Sequence, residues 1–215
     1  MFLAVATRPD IAFTIYRLGS FMSNPNMSHW MAAKHVLRYL SGTRDYGLTY
    51  RANKSVTGDN LFVGYLDTSY ANNADQTSVS GYVFLMNGAA ISWGSKKQND
   101  VALSSTESKY IALAEAAREA IWLCNLLHGL KCMQPQPTKL YRDNSGSLAI
   151  ANNPQYHKKT KHFDTRNHYI RQRVEKGQIE LEFCPTANMM ADILTKALPK
   201  PKHHIHSMEL GLSPL

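Results

Sequence analysis

The order in which strand-like and helix-like segments follow one another limits the fold of this chain more than any other feature. Three short runs rich in β-branched and aromatic residues come first, at 61–68, 79–86 and 89–93, and such runs predict strands. Asn87-Gly88 joins the second run to the third, and this dipeptide is the strongest short-range signal for a hairpin turn. The sequence therefore predicts an antiparallel meander of three strands.

Helices and strands alternate after the meander. The pattern predicts a long helix at 105–130, a strand at 138–143, helices at 145–152 and 160–176, a strand at 178–183 and a last helix at 188–197. A meander followed by alternating helices and strands is typical of a mixed sheet covered by helices. We therefore expect the α/β class, of the mixed α+β kind, with a five-stranded mixed sheet flanked by helices.

The first part of the chain predicts a smaller unit. Two antiparallel helices are expected at 9–24 and 28–40, with a break at Asn24-Pro25-Asn26 and a polar linker at 51–60. We predict an N-terminal two-helix appendage at 1–52, a main domain at 58–199 and a C-terminal tail at 200–215. The basic side chains of the appendage suit either contact with phosphates or an ordinary solvated helix face: Arg8, Arg17, Lys34, Arg38 and Arg44.

The charge distribution indicates a polyanionic partner. Lys and Arg number 24 against 16 Asp and Glu, a formal net charge of +8, and such an excess favours a polyanionic partner without identifying it. The charge is +4 over 1–60, −1 over 61–135 and +5 over 136–215. A protein that only coats nucleic acid has little reason for an acidic centre, whereas an enzyme that gathers divalent cations beside phosphates has one.

The cysteines and apolar runs exclude other classes. Cys124, Cys132 and Cys184 form no Cys-x-x-Cys pair, so we expect neither a disulfide framework nor a zinc ribbon, and a reducing, intracellular compartment is the natural interpretation. No apolar run approaches the roughly 18 residues that a membrane span requires, and the N-terminal residues do not resemble a signal peptide. We therefore expect no membrane association.

Four carboxylates stand where the predicted order brings the ends of elements together. Asp67 and Asp143 end strands, Glu107 is in the first turn of the long helix, and Asp192 is in the last helix. Each has an ordinary structural explanation. Ser104 and Glu107 have the spacing of a capping box, and Asp143 suits a turn or a helix cap. Asp67 suits a strand end, and Asp192 suits a solvated helix.

The four carboxylates together indicate a site for two divalent cations. Two such ions, roughly 3.5–4 Å apart, clamp the attacking water and the leaving oxygen of a phosphodiester. Glu107 lies one turn before Tyr110 on the buried face of its helix, and an inward carboxylate needs a partner. Hard oxygen ligands suit Mg²⁺ or Mn²⁺. We therefore predict that these four residues are catalytic and bind metal.

Seven motifs follow one another between about residue 61 and residue 196. They are Gly64-Tyr65-x-Asp67, Ser80-Gly81-Tyr82-Val83-Phe84, Ile91-Ser92-Trp93-x-Ser95-Lys96-Lys97-Gln98, Val101-Ala102-Leu103-Ser104-Ser105-Thr106-Glu107, Asp143-Asn144, Thr160-Lys161-His162-x-Asp164-x-Arg166 and Ala191-Asp192-Ile193-x-Thr195-Lys196. In this order they resemble the ribonuclease H domain of copia-type LTR retrotransposon Pol polyproteins. The first 50 residues resemble the segment that joins the reverse transcriptase to that domain, at Ala6-Thr7-Arg8-Pro9-Asp10-Ile11 and Val36-Leu37-Arg38-Tyr39-Leu40-x-Gly42-Thr43.

The resemblance implies a ribonuclease H-like fold and hydrolysis of the RNA strand of RNA–DNA hybrids. It places Asp67, Glu107, Asp143 and Asp192 in the metal-binding positions of the family, with two Mg²⁺ ions as cofactor. Cleavage would leave a 5′-phosphate and a 3′-hydroxyl, and contacts to 2′-hydroxyls would select RNA. The residues expected to make those contacts are Asn144, Ser104, Ser105 and Thr106. The reverse transcriptase portion of a Pol polyprotein is an expected partner, in cytoplasmic virus-like particles or the nucleus.

A basic segment completes the predicted nucleic-acid surface. Between residues 157 and 173 the chain has six Lys or Arg and one Asp, which suits a solvated helix but favours a surface that follows phosphates. The residues predicted to bind nucleic acid here are Lys158, Lys159, Lys161, His162, Arg166 and Arg171. His162 has no cysteine partner, so zinc is not expected.

Three positions depart from the family pattern. Ser69 and Tyr70 replace an acidic residue and a tryptophan, and Lys109 replaces an acidic residue two places after Glu107. These changes remove no predicted ligand, and we expect them to weaken the binding of cations. The paired aspartates of a polymerase palm lie outside this sequence. The alternatives are therefore a catalytically degenerate remnant that binds nucleic acid, or a connector that contacts a polymerase through exposed apolar residues of the helices at 9–40.

Overall fold

The protein is described by a computed structural model that covers residues 1–51, 61–71, 76–132, 134, 137–143 and 161–215, with backbone only at 161–165. The predicted helix at 145–152 lies outside the described residues. Within the described part of the chain, no helix is both long enough and apolar enough to span a membrane.

The central sheet has the five strands that the sequence predicts. They are β2 (Phe62–Ser69), β3 (Val79–Met86), β4 (Ala89–Lys97), β5 (Thr138–Arg142) and β6 (Ile179–Phe183), in the order β4-β3-β2-β5-β6. The first three strands pair antiparallel, and β5 runs parallel to β2 and β6. Asn87 and Gly88 have φ of 55° and 83°, as a tight hairpin requires. The predicted mixed five-stranded sheet is confirmed.

Two helices cover one face of the sheet. They are α4 (Ser105–Gly129) and α5 (Lys161–Glu175), close to the predicted ranges of 105–130 and 160–176. Alternate residues of the strands point towards them, because side chains along a strand alternate between faces. The resulting core contains Phe62, Leu66, Phe84, Leu140 and Ile179 from the strands and Tyr110, Leu113, Ala117, Leu123 and Ile170 from the helices.

The opposite face is covered by a segment that the sequence mispredicts. The expected helix at 188–197 is wrong, because the structure has two short 3₁₀ turns there, Thr186–Asn188 and Met190–Leu194. All five residues of the second turn are buried. A segment that is buried on every side is shaped by its packing, and the 3.6-residue period of a surface helix does not apply to it. It packs with Val83 and Ala90 of the sheet.

The N-terminal helices are divided differently from the prediction. The structure has α1 (Phe2–Ala6), a 3₁₀ turn at Pro9–Ile11, α2 (Ala12–Gly19) and α3 (Met27–Gly42). The predicted helix at 9–24 is therefore shorter and interrupted. α3 begins where the Asn26 side chain accepts from the His29 amide and the His29 side chain accepts from the Asn26 amide, a reciprocal cap.

The strand that follows the N-terminal helices pairs with the last strand of the chain in a small second sheet. β1 (Tyr46–Leu48) pairs antiparallel with β7 (Leu212–Pro214), and α6 (Lys200–Glu209) precedes β7. None of these elements was predicted from the sequence. The division into an appendage, a main domain and a tail stays a prediction, although the structure places the appendage and the tail in direct contact.

Candidate active site

The parallel pairing of β2 with β5 aligns two of the predicted ligands. Val63 is opposite Lys139 and Tyr65 is opposite Tyr141; continued by two residues, the same register aligns Asp67 with Asp143. The rings of Tyr65 and Tyr141 stack with their centroids 4.9 Å apart. Because side chains two residues apart lie on the same face of a strand, Asp67 belongs to the face that those rings occupy. Asp143 follows the last residue of β5 and contacts Lys109 of α4.

A third predicted ligand reaches Asp67 through a shared cation. The Nζ atom of Lys196 lies 2.8 Å from Oδ1 of Asp192 and 3.4 Å from Oδ2 of Asp67. Burial lowers the pKa of Lys196, but the nearby carboxylates of Asp67 and Asp192 outweigh burial and raise it above its usual value. Lys196 is therefore a permanent cation, on which two carboxylates far apart in the sequence converge.

Close packing of Thr195 against the sheet completes the surroundings of Asp67. Thr195 Oγ1 donates to Asp67 Oδ2 at 2.5 Å. Gly81 pairs with Asp67 across β2 and β3, and a Cβ atom there would lie 2.6 Å from Thr195 Cγ2 and 2.9 Å from Leu194 Cβ. The sequence motifs contain Gly81 and Thr195 but assign them no role; a glycine within a strand is a signal of close approach.

Glu107 has the local contacts of a helix cap. Its amide donates to Ser104 Oγ at 3.1 Å, and its Oε2 accepts from the Leu103 amide at 2.7 Å. These two hydrogen bonds confirm that Ser104 and Glu107 cap the start of α4. The carboxylate remains half-buried at the first turn of α4, two residues before Lys109.

Gln98 fixes the start of α4 against the sheet. This side chain is 2% exposed, and its Nε2 donates to Ser80 Oγ at 2.9 Å and to the Ser108 carbonyl oxygen at 2.8 Å. Thr68 Oγ1 lies 3.5 Å from the same carbonyl oxygen. Because Ser108 follows Glu107, these contacts also position the Glu107 backbone. The sequence motif includes Gln98 without predicting this role.

Lys109 ties α4 to the end of β5. Its Nζ lies 3.0 Å from Asp143 Oδ1, so the positive charge predicted near the metal site contacts a predicted ligand directly. The adjacent Arg142 is 4% exposed, and burial lowers its pKa to about 10. Among the described residues, Arg142 Nε and Nη2 have no hydrogen-bond partner. Asp143 is therefore flanked by two cationic side chains.

The fourth carboxylate contacts two lysines. Asp192 has 0% exposure; Lys202 Nζ of α6 lies 2.6 Å from its Oδ2, and Lys196 contacts Oδ1. In the described ranges, Oδ1 accepts no hydrogen bond, so its contact with Lys196 is ionic. No group of three His, Cys, Asp or Glu side chains that could hold a metal ion occurs in that part of the chain.

The donor chemistry nevertheless suits a hard cation. Asp67, Asp143 and Asp192 supply oxygen ligands of the kind that Mg²⁺ prefers, and the buried Asp192 Oδ1 already has a cation beside it, the ammonium group of Lys196. These residues, with Glu107, are those that could hold a metal.

The predicted nucleic-acid residues are described in part. Ser104, Ser105 and Thr106 lie at the start of α4, where the first two are exposed and the third is half-buried. Arg166 Nη2 lies 3.0 Å from Asp100 Oδ2, which brings α5 close to the segment before α4. Arg171 is half-buried on α5. Asn144, Lys158 and Lys159 lie outside the described residues, as do the side chains of Lys161 and His162.

Comparisons with known sequences identify the family. No protein-family model matches the chain. Over 213 residues, 99% of this chain and 16% of the relative, it is 38% identical to the Retrovirus-related Pol polyprotein from transposon TNT 1-94 of Nicotiana tabacum. Over 124 residues, 57% of this chain and 84% of the relative, it is 48% identical to Secreted RxLR effector protein 161 of Plasmopara viticola.

Solved structures agree in fold. The chain matches the foamy viral protease-reverse transcriptase in complex with RNA/DNA hybrid with a TM-score of 0.50 and 14% identity, over 89% of this chain and 24% of that one. LC11-RNase H1, isolated from compost, matches with a TM-score of 0.49 and 17% identity, over 63% of this chain and 93% of that one.

The strand order and pairing define a mixed α/β fold, which matches that of the foamy viral protease-reverse transcriptase over 89% of this chain. The chain belongs to the copia-type retrotransposon Pol polyproteins, which match it over 96–99% of its length. The chain spans about a sixth of the length of the Pol polyproteins that it matches, 14–16%.

Proposed function

We propose that the protein is a ribonuclease H that hydrolyses the RNA strand of RNA–DNA hybrids. The observation that carries the proposal is the convergence of Asp67 and Asp192 on the single ammonium group of Lys196. Continued by two residues, the register of β2 and β5 places Asp143 beside Asp67 at the ends of these strands. Carboxylates from separate elements therefore approach one cation, and carboxylates gathered in this way would hold a divalent ion for phosphodiester hydrolysis.

Asp67, Glu107, Asp143 and Asp192 are the residues that would hold two Mg²⁺ ions, or Mn²⁺ in their place. Bound there, the ions would lower the pKa of a water molecule and neutralise charge on the phosphate. The protein's own part is to fix the carboxylates. Thr195 orients Asp67 by donating a hydrogen bond to it, and Gln98 holds the turn that carries Glu107.

The proposed substrate surface extends from the start of α4 to the basic segment. Ser104, Ser105 and Thr106, with Asn144, would contact 2′-hydroxyls, which distinguish RNA from DNA. Arg166, Arg171 and the lysines at 158, 159 and 161 would neutralise phosphates together with His162. Binding through phosphates weakens steeply with added salt.

A cleavage assay tests the proposal. We expect the protein with Mg²⁺ to cut the RNA strand of a labelled hybrid and to leave RNA duplexes and DNA duplexes intact. Asp143→Asn should lower the rate at least about hundredfold, because it removes a charged metal ligand. Glu182→Gln is the matched control, because this carboxylate pairs with Lys139 on the neighbouring strand. A folded protein that cuts no hybrid, or cuts it equally well as Asp143→Asn, contradicts the proposal.

Binding without cleavage is the second candidate function. It is favoured by the contacts of Lys109 and Lys202 with Asp143 and Asp192, since these cations partly neutralise the carboxylates. This function predicts salt-sensitive binding of hybrid and no product at any Mg²⁺ or Mn²⁺ concentration.

The wider context is also a proposal. Residues 1–52 would be the end of the reverse transcriptase, residues 58–199 the ribonuclease H domain and residues 200–215 its tail, acting with the polymerase portion of a Pol polyprotein in virus-like particles or the nucleus. Met22 and Trp30 of the N-terminal helices are 77% and 55% exposed. Apolar side chains exposed together are typical of an interface, which supports contact with that portion.

A further inference from the structure

Lysine ammonium groups contact three of the four candidate metal ligands. Lys109 contacts Asp143 at 3.0 Å, and Lys202 contacts Asp192 at 2.6 Å. Lys196 lies between Asp192 and Asp67. These lysines come from α4, α6 and the segment after the 3₁₀ turn, so the cations reach the site from three directions.

We propose that Lys109 and Lys202 are built-in competitors of the divalent ions, so that an ion binds Asp143 Oδ1 or Asp192 Oδ2 only after the ammonium group has left that oxygen. The inference rests on the proposed function, since it concerns the same carboxylates. This competition would make the two lysines determinants of metal affinity without making them catalytic residues.

The competition follows from the ion pairs of Asp192. Its side chain is fully buried, and a lysine contacts each of its two oxygens. A divalent ion needs a carboxylate oxygen at about 2.0–2.1 Å, closer than an ammonium nitrogen lies, and two cations at one oxygen repel each other. Lys202 is the contact that is released more easily: Lys196 is as exposed, at 35% against 34%, but Lys196 also contacts Asp67.

The same reasoning applies to Asp143. Only Oδ1 contacts Lys109, the carboxylate is 17% exposed and the lysine 26% exposed. The ammonium group therefore has a route into solvent, and the stem of a lysine adapts easily to a new rotamer. A chain with an uncharged residue at 109 or 202 would offer the ion a free oxygen without this displacement.

Metal binding to the intact protein tests the inference without reference to cleavage. The probe is Mn²⁺ alone, and the unbound ion is measured by electron paramagnetic resonance. We expect Lys109→Gln and Lys202→Gln each to bind Mn²⁺ about tenfold more tightly than the natural chain, the size expected for removing one partly buried ionic competitor. Lys109→Arg keeps the charge and should bind like the natural chain.

Lys139→Gln is the matched control. It removes a lysine that contacts Glu182 on the neighbouring strand, so it changes the net charge equally and should leave Mn²⁺ affinity unchanged. Thermal unfolding gives a second measurement: Mn²⁺ should raise the midpoint more in Lys109→Gln and Lys202→Gln than in Lys139→Gln, because tighter binding stabilises the folded state more.

The outcomes separate this inference from the proposed function. If the natural chain binds Mn²⁺, Asp143→Asn weakens binding and the two lysine variants do not tighten it, the inference is overturned and the metal site stands. Equal tightening by Lys139→Gln also overturns it, since net charge then explains the effect. If neither the natural chain nor any lysine variant binds Mn²⁺, both proposals fail.

Discussion

The missing side chain of Gly81 determines how closely the Met190–Leu194 turn approaches β3. We predict that Gly81→Ala lowers the free energy of unfolding by about 1–3 kcal/mol, the usual cost of forcing an extra methyl group into a packed site. The added Cβ would lie 2.6 Å from Thr195 Cγ2, so Thr195 must move and its hydrogen bond to Asp67 lengthens. Urea unfolding measures this loss of stability. The rate of hybrid cleavage should also fall, because Asp67 is held less firmly.

Gly129→Ala is the control for this substitution. A Cβ atom at Gly129 meets nothing within 4 Å, and the residue ends α4, where alanine favours helix more than glycine does. We expect this variant to be unchanged or slightly more stable. If Gly81→Ala behaves in the same way, the packing explanation of the Asp67 environment is wrong.

At the residue scale, the sequence motifs single out four carboxylates but give no sign of the side chains that contact them. Asp67 and Asp143 are predicted because each ends a strand, and Asp192 because it lies in a motif of the last predicted helix. The partners of Lys196 and Lys202 could not be predicted, because ion pairs between separate elements depend on tertiary contacts that leave no periodic signal.

At the scale of elements, strong local signals were sufficient for the central strands and α4. Asn87-Gly88 and the Ser104 cap mark their ends, and long apolar patterns mark their interiors. β1 and β7 are three-residue strands that pair across more than 160 positions, so local sequence could not reveal either. The same holds for Met190–Leu194, whose burial on all sides hides the period that would identify its conformation.

The anchoring of α4 gives a prediction at this scale. Gln98→Ala should destabilise the protein by about 1–3 kcal/mol, because it leaves the buried Ser108 carbonyl oxygen and Ser80 hydroxyl without their donor. The first turn of α4 should then exchange its amide hydrogens faster, and cleavage should slow because Glu107 is less well fixed. Gln172→Ala, at an exposed position of α5, should change stability by less than about 0.5 kcal/mol. Equal effects of both variants would contradict the anchoring role.

At the scale of the whole molecule, one buried polar network joins the N-terminal helices to the C-terminal tail. Arg8 and Asp10 are 5% and 2% exposed and form an ion pair at 2.8 Å. Arg8 Nη2 also donates to Thr43 Oγ1 at 2.7 Å, and His203 of α6 contacts the Asp10 carbonyl oxygen at 3.0 Å. Because α6 also carries Lys202, this network connects the appendage to the candidate active site.

Tyr39 is the member of the network whose removal tests this connection. Its hydroxyl donates to Asp10 Oδ2 at 2.6 Å, and burial, reinforced by the charge of Asp10, raises its pKa to about 12. Between pH 10 and pH 12 the unfolded chain therefore loses the phenolic proton while the folded chain keeps it, so stability falls as the pH rises through this range. Tyr39→Phe should lower the free energy of unfolding by about 1–2 kcal/mol at neutral pH, as expected for a hydrogen bond to a buried charged group. Above pH 10 its free energy of unfolding should decline less steeply than that of the natural chain.

Tyr70→Phe, at an exposed position, should follow the natural chain in urea unfolding at each pH. If Tyr39→Phe follows it as well, the hydrogen bond from Tyr39 to Asp10 does not stabilise this network.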